Sequence, residues 1–342
     1  MEKILLLLGV DGEGKLAKAG LEAVEQARRL ACALSGASWA VGLVGRNVED
    51  AARQVAGCGA GKFLAVSGDA FASPRYASDA AAAEALARRA EATLILAPAD
   101  SRWMRALPGA AHRLGAAVDT HIAGIEAAAG ALRVRRWYYR QRIEAVQSRR
   151  SRPWALLLDA GNVAAWSGEA GEAAVETVPV ETSQAWERTK VVGVEAPEAG
   201  EQTIRPDADL LFVAGAGWTK KQADGQAHVE EAAELILDFV RKTKCSLGSS
   251  KSLVDLSSEG QAVLPFLTHL HQVGQTGSTP RHPKGLATCC HGEEPHVVGW
   301  RFIKERRAVN LDPNCGWAQG KADVLYVADA FAVMREVNKL LG

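Results

Sequence analysis

The chain has 342 residues, 48% hydrophobic and 23% charged, which is enough for two domains that each bury a core. Lys plus Arg equals Asp plus Glu at 40 each, so no net field selects nucleic acid or an anionic membrane as the main partner. The apolar run from Ile4 to Leu8 falls far short of the roughly 20 residues needed to cross a bilayer.

Asp11, Glu13 and Lys15 follow that run without a small-residue cleavage site, so it reads as a buried first strand and not as a signal peptide. The six cysteines (Cys32, Cys58, Cys245, Cys289, Cys290 and Cys315) include no CxxC pair and no zinc spacing. A cytoplasmic location with free thiols is the expectation.

The N-terminal half alternates apolar runs with Ala-rich amphipathic stretches. Strands are predicted at Ile4–Val10, Trp39–Val44, Lys62–Val66 and Thr93–Pro98. Helices are predicted at Leu16–Leu34, Val48–Gly57, Ala77–Arg89 and Ser101–Leu114. This rhythm predicts an α/β fold with a doubly wound parallel sheet, whose strands are apolar throughout because both faces are covered.

From about Val118 the pattern turns more antiparallel in character, with strands expected at Ile122–Ala127, Ala131–Tyr139, Ile143–Gln147 and Trp154–Leu158. Eight arginines lie between Arg133 and Arg152 against one acid, Glu144, with Trp137, Tyr138 and Tyr139 among them. Such a mix suits either a partner contact or a solvated face. Residues 160–200 are rich in Gly, Glu, Thr and Pro, and Ala196-Pro-Glu-Ala-Gly200 within them reads as a linker. The division is therefore 1–200 for an N-terminal α/β domain and 201–342 for a second α/β domain.

The second half restarts with strand Asp209–Ala214, turn Gly215–Gly217, helix Val229–Thr243 and a Gly-Ser loop at Leu247–Lys251. His269 and His271 flank Leu270 on an expected helix and read as solvated. Strands are expected at Gly285–Cys290, Arg307–Leu311 and Val324–Val327, and a closing helix at Ala328–Leu341.

Four segments sit where parallel strands would end, the usual place for ligands in open α/β sheets. They are Gly215-Ala-Gly217, Gly248-Ser-Ser-Lys251, Gln272-Val-Gly-Gln-Thr-Gly277 and Cys290-His-Gly-Glu-Glu-Pro-His296. Their order and spacing resemble the α subunit of electron transfer flavoproteins. Gln272–Gly277 matches that family's flavin-loop motif, and Leu247-Gly-Ser-Ser-Lys-Ser-Leu-Val-Asp255 is similar to its Gly-Ala-Ser-Arg-x-x-Val-Asp segment. Gly292 and His296, Ala308-Val-Asn-Leu-Asp-Pro313 and Val327-Ala-Asp329 match further family segments.

The resemblance implies a flavodoxin- or Rossmann-like FAD-binding C-terminal domain. Its implied cofactor-binding residues are Ser250, Lys251, Gln272, Gly274, Gln275, Thr276, Gly277, His291, Gly292, His296, Asn310 and Asp329. Gln275 and Thr276 would lie beside the flavin and ribityl chain, Ser250 at the phosphates or the flavin edge, and His296 at the pyrimidine side of the ring. Asn310 and Asp329 would hold the adenosine end. The implied partners are a β-type subunit packed on the N-terminal domain, a flavoprotein dehydrogenase as donor, and a membrane quinone oxidoreductase or another acceptor. AMP is left to the partner subunit.

The departures are specific. Gly217 and Trp218 stand where the family has an Arg-containing Gly-Gly-Arg-Gly turn, and Lys251 replaces an Arg, keeping charge without the planar fork. His291 and Pro295 replace a Ser and a Gln, and Glu293 and Glu294 add negative charge that disfavours an anionic reduced flavin. Cys289 and Cys290 read as buried small hydrophobes, and no metal spacing or catalytic nucleophile–base pair is visible. An electron-transfer subunit is therefore expected in preference to a substrate-converting enzyme. Two alternatives stay open: a redox-silent AMP- or ADP-binding scaffold, and an oxidoreductase using His291 or Glu293 as base.

Overall fold

The computed structural model describes residues 1–128, 131–138, 143–181, 183, 186, 188–193, 205, 208–255, 262–273, 282–288, 303–314 and 322–342. The chain divides into two compact units, Met1–Val194 and Glu195–Gly342.

The first unit is built on nine strands: β1 (Lys3–Gly9), β2 (Ser38–Gly45), β3 (Lys62–Ser67), β4 (Leu94–Pro98), β5 (Ala117–Ala128), β6 (Ala131–Tyr138), β7 (Ile143–Gln147), β8 (Trp154–Leu158) and β9 (Val175–Thr177). They form one sheet in the order β7-β6-β5-β8-β4-β1-β2-β3-β9. Alternation along β1 explains its unbroken apolar run. Ile4, Leu6 and Leu8 face one side with Ala23, Val24, Ala27 and Leu30 of α1 (Lys18–Ala33). Leu5 and Leu7 face the other side, with Ala83 and Leu86 of α3 (Tyr76–Arg89) and Trp103 and Leu107 of α4 (Ser101–Arg113). A short helix, α2 (Glu49–Gln54), joins the α1 face through Ala51 and Ala52.

No side chain caps α1 at its N-terminus. Its stability comes from burial, at about 1.5–3 kcal/mol for each of Val24 and Leu30. By contrast α4 is capped by Asp100, which accepts a hydrogen bond from the Trp103 N–H at 2.8 Å.

The turn to antiparallel pairing is narrower than the sequence suggests. Only β6 runs against the rest, pairing antiparallel with β5 on one side and β7 on the other, whereas β8 lies between β4 and β5 and is parallel to both. Its five residues are all buried, as a strand covered on both faces requires. The Gly- and Glu-rich stretch also contains β9, which pairs with β3 through three residues and is too short to leave a periodic signal, while the expected linker at Ala196–Gly200 lies outside the described residues.

The second unit has five parallel strands, β10 (Leu210–Ala214), β11 (Ser246–Ser249), β12 (Lys284–Thr288), β13 (Glu305–Asn310) and β14 (Val324–Val327), in the order β11-β10-β12-β13-β14. Ile236, Phe239 and Val240 of α5 (Val229–Thr243) and Phe331 and Met334 of α7 (Ala330–Leu340) cover one face. The expected Gly-Ser loop is instead β11 followed by α6 (Lys251–Asp255), because Leu247 and Gly248 pair in register with Phe212 and Val213. Nor is there an α-helix through Leu270, where a single tight turn spans His269–His271. Within it His271 is buried and its Nδ1 accepts the Thr268 N–H at 3.1 Å, so it is not the solvated side chain expected. Among the described residues no helix is long and apolar enough to cross a membrane.

Candidate functional site at the carboxyl edge of the second sheet

In chain order the strands of the second sheet are arranged second, first, third, fourth, fifth. The winding reverses between β10 and β12, and successive loops diverge there at the carboxyl ends, leaving a crevice suited to a ligand. The two ends are tied by the Gly215 N–H, which donates to the Thr288 carbonyl at 2.8 Å.

Beside them, the Ser250 N–H donates to the Ala214 carbonyl at 2.8 Å and the Val273 N–H to the Ser249 carbonyl at 3.2 Å. These bonds bring the start of the 272–277 motif against the end of β11. Ser250 is buried, and its Oγ accepts the Leu253 N–H at 3.3 Å in the first turn of α6. Gln272 is 2% exposed, and its Nε2 donates to His269 Nδ1 at 3.0 Å. His269 in turn lies 3.6 Å from Asp255, whose other oxygen is 3.5 Å from Lys251 Nζ. The polar chain Lys251–Asp255–His269–Gln272 braces this corner, and Asp255 offsets part of the Lys251 charge.

Asn310 and Asp329 form a second group. Asn310 ends β13, is buried, and accepts the Asp312 N–H at 3.1 Å through Oδ1. Its carbonyl accepts the Ala328 N–H at 3.2 Å. Asp329 caps α7 by accepting the Ala332 N–H at 2.7 Å. At the usual interstrand spacing, three steps from β11 to β13 separate Ser250 from Asn310 by about 14 Å. The structure therefore brings Ser250, Lys251 and Gln272 together and sets Asn310 and Asp329 further along the same edge. Gly274, Gln275, Thr276, Gly277, His291, Gly292 and His296 lie outside the described residues, as do Cys289, Cys290, Glu293, Glu294 and Pro295.

Three strand-end residues meet here. Ser249, Ala214 and Thr288 stand side by side in register on β11, β10 and β12. The Ser249 hydroxyl is buried with no hydrogen-bond partner among the described residues, and a buried hydroxyl left unpaired costs on the order of 1–3 kcal/mol. Trp218, fully buried, donates its indole N–H to Thr288 Oγ1 at 2.8 Å. Cys245, just before β11, has its thiol pushed up by burial, which marks it as packing and not as a nucleophile. Among the described residues no His, Cys, Asp and Glu are grouped to hold a metal.

The first sheet has its own point of reversal, between β1 and β4, but there a buried arginine fills the crevice. Arg102 donates to Asp79 Oδ1 at 2.7 Å, to the Phe71 carbonyl at 2.9 Å and to the Val44 carbonyl at 3.2 Å. A Cβ on Gly9 would stand 2.9 Å from Arg102 Cδ, so the glycine is what admits the arginine stem. Burial, opposed by Arg102, raises the Asp79 carboxyl.

Four of the six described arginines of the cluster also meet acids. Arg136 and Arg149 both reach the buried Asp119, at 2.7 and 2.6 Å. Arg135 lies within 3.4 Å of Glu126 and 3.1 Å of Glu144, and Arg152 pairs with Glu2 at 2.6 Å.

A family model, the electron transfer flavoprotein domain, matches residues 5–185, which is 181 of 342 residues and more than half of the chain. The chain belongs to the electron transfer flavoprotein family. The matched residues run from β1 past β9 and end before β10. The carboxyl edge of the second sheet lies beyond them and rests on its own geometry.

Proposed function

We propose that the chain is the α-type, FAD-binding subunit of a heterodimeric electron carrier. It would pack on a β-type subunit, take electrons from a flavoprotein dehydrogenase and pass them to a quinone reductase or another acceptor. Family membership supports the electron-transfer role. The observation that carries the cofactor reading is the second sheet's strand order, together with the five described candidate residues along its carboxyl edge.

The residues present fit such a group. The orphaned Ser249 hydroxyl and the close approach of Val273 to the Gly248 backbone belong to a corner built to hold a loop and a polar ligand. Ser250, Lys251 and Gln272 would bind and orient the flavin and phosphate portion, and Asn310 and Asp329 the adenosine end. Gln275, Thr276 and His296 would lie nearest the ring, with the remaining motif residues Gly274, Gly277, His291 and Gly292 shaping the loops. When bound, FAD supplies the redox chemistry, and the protein's part is to set the charge and hydrogen bonding around it. The plugged crevice of the first sheet favours the second unit as the cofactor's home and leaves any AMP to the partner subunit.

An absorption spectrum of the chain co-expressed with its β-type partner tests this. Visible flavin bands that bleach on anaerobic reduction are expected. A folded, colourless heterodimer would instead favour an AMP- or ADP-binding scaffold.

A further inference from the structure

Gln272 and His269 meet beside the end of β11 in a contact whose chemistry depends on one proton. Gln272 is buried, and its Nε2 lies 3.0 Å from His269 Nδ1. A carboxamide nitrogen can only donate, so Nδ1 accepts, and His269 is the neutral tautomer with its hydrogen on Nε2. His269 itself is open to solvent, its side chain 70% exposed. The same Nδ1 faces Asp255 Oδ1 at 3.6 Å, and the other Asp255 oxygen is 3.5 Å from Lys251 Nζ. One ring nitrogen thus stands between a buried amide that uses its lone pair and a carboxylate that would accept its proton.

We propose that His269 and Gln272 form a proton-operated latch beside the end of β11, closed while His269 is neutral and released when it is protonated. The proton comes from solvent, and histidine is the side chain whose charge changes nearest neutral pH. Once Nδ1 carries a hydrogen it no longer accepts from Gln272 and turns to Asp255. The buried Gln272 N–H then loses its acceptor, a loss that water cannot readily make good. This loosens the seat of Gln272 and Val273 on β11, where the Val273 N–H donates to the Ser249 carbonyl at 3.2 Å. Of the described elements packed on this turn, α6 presents Lys251 and Asp255, and β11 presents no charged side chain. Asp255 favours the protonated ring and Lys251 opposes it. His271, on the same turn, is buried with its Nδ1 accepting the Thr268 N–H. The inference stands on these contacts and not on the identity of any ligand at this edge.

The test is an NMR titration of the full-length, 15N-labelled chain from about pH 8 down to about pH 5, the range in which histidines change charge. At the alkaline end the His269 ring nitrogens should report the Nε2–H tautomer. As pH falls, the Gln272 side-chain amide signals should move with the same midpoint as the His269 ring. Hydrogen-exchange protection of the Val273 N–H, corrected for the intrinsic effect of pH, should drop about five-fold across that midpoint, the size of one net hydrogen bond.

Two variants fix the sign. Gln272→Leu removes a donor that favours the neutral ring, so the His269 midpoint should rise. Asp255→Asn removes a carboxylate that favours the charged ring, so the midpoint should fall. A contact that served packing alone would leave the Gln272 amide signals still while His269 titrates, and that result overturns the latch. So does an Nδ1–H tautomer at the alkaline end, or a lower midpoint in Gln272→Leu, because either means that the carboxamide oxygen accepts from the ring in both states. If Gln272→Leu does not fold, the tautomer and the shared midpoint in the wild-type chain decide the matter. A chain that binds no FAD would overturn the cofactor reading above and leave this inference standing.

Discussion

Val273 packs so closely on the backbone of Gly248 that a Cβ added to the glycine would stand 2.6 Å from Val273 Cγ2. The same Cβ would approach Leu211 Cδ1 at 3.2 Å. One missing methyl group therefore lets Gln272 and Val273 seat against β11.

Gly248→Ala should push Val273 outward and carry Gln272 with it. Overpacking of this kind costs about 1–3 kcal/mol. The expected result is a lower denaturation midpoint and FAD binding weakened by more than the stability change explains. Wild-type affinity in a destabilised variant would separate this contact from the cofactor site.

The Arg102–Asp79 pair should behave as a buried ion pair. Replacing Arg102 by Met strands a buried carboxylate and is expected to cost about 3–5 kcal/mol, read from urea unfolding at unchanged slope. Adding Asp79→Asn should recover most of that loss, since the amide oxygen can still accept the Arg75 N–H that Asp79 holds at 2.9 Å. Equal losses in the single and double variants would mean that the guanidinium acts through its bonds to the Val44 and Phe71 carbonyls.

Asp119 anchors the β6–β7 hairpin through Arg136 and Arg149, and also accepts the Trp154 indole N–H at 2.8 Å. Asp119→Asn leaves both guanidinium groups without their counter-charge, and a loss of about 2–4 kcal/mol is expected. Because the hairpin is rich in arginine, trypsin should nick it in the variant well before the core unfolds. Digestion indistinguishable from wild type would show that backbone pairing alone holds it.

Two carboxylates set the acid limb of stability. Arg28, then Arg29, hold the Glu25 carboxyl down to about 2 against burial. Burial pushes Asp119 up, but its bonds from Arg149 and Trp154 outweigh this and leave it below its ordinary value. Both bind fewer protons folded than unfolded. The Glu25 contribution is thus complete above its unfolded value of about 4 and is lost as pH falls toward about 2, and that of Asp119 likewise declines as pH drops below its unfolded value. Glu25→Gln should make the decline between those limits shallower and remove about 1–2 kcal/mol at neutral pH, after allowance for the half-exposed arginines. A pH profile parallel to wild type would contradict the assignment.

Much of the first sheet is legible in the sequence because its strands are buried on both faces and its helices are long. Ile4 to Leu8 and Leu94 to Pro98 could hardly be anything else. The failures are equally physical. Ser246–Ser249 reads as loop because Gly and Ser carry turn propensity, and only in-register pairing with β10 makes it a strand. The pairing of the arginine cluster is not legible, because Asp119 and Glu2 lie outside it in sequence and reach it only through the fold, and Glu126 only through the β5–β6 pairing. Of the four candidate segments, Gly215–Gly217 and Gly248–Lys251 are legible as strand ends, at β10 and β11. The bond between Trp218 and Thr288 is not legible, since a tryptophan in a turn and a threonine ending a strand meet only once β10 and β12 lie side by side.

The most direct test of the account is the identity of the nucleotide released when the purified heterodimer with its β-type partner is unfolded. Near-stoichiometric FAD, lost from a Ser250→Ala, Lys251→Ala double variant that still assembles, is the predicted result. Release of AMP or ADP without flavin, or FAD retained fully by that variant, would contradict a flavin held at the carboxyl edge of the second sheet.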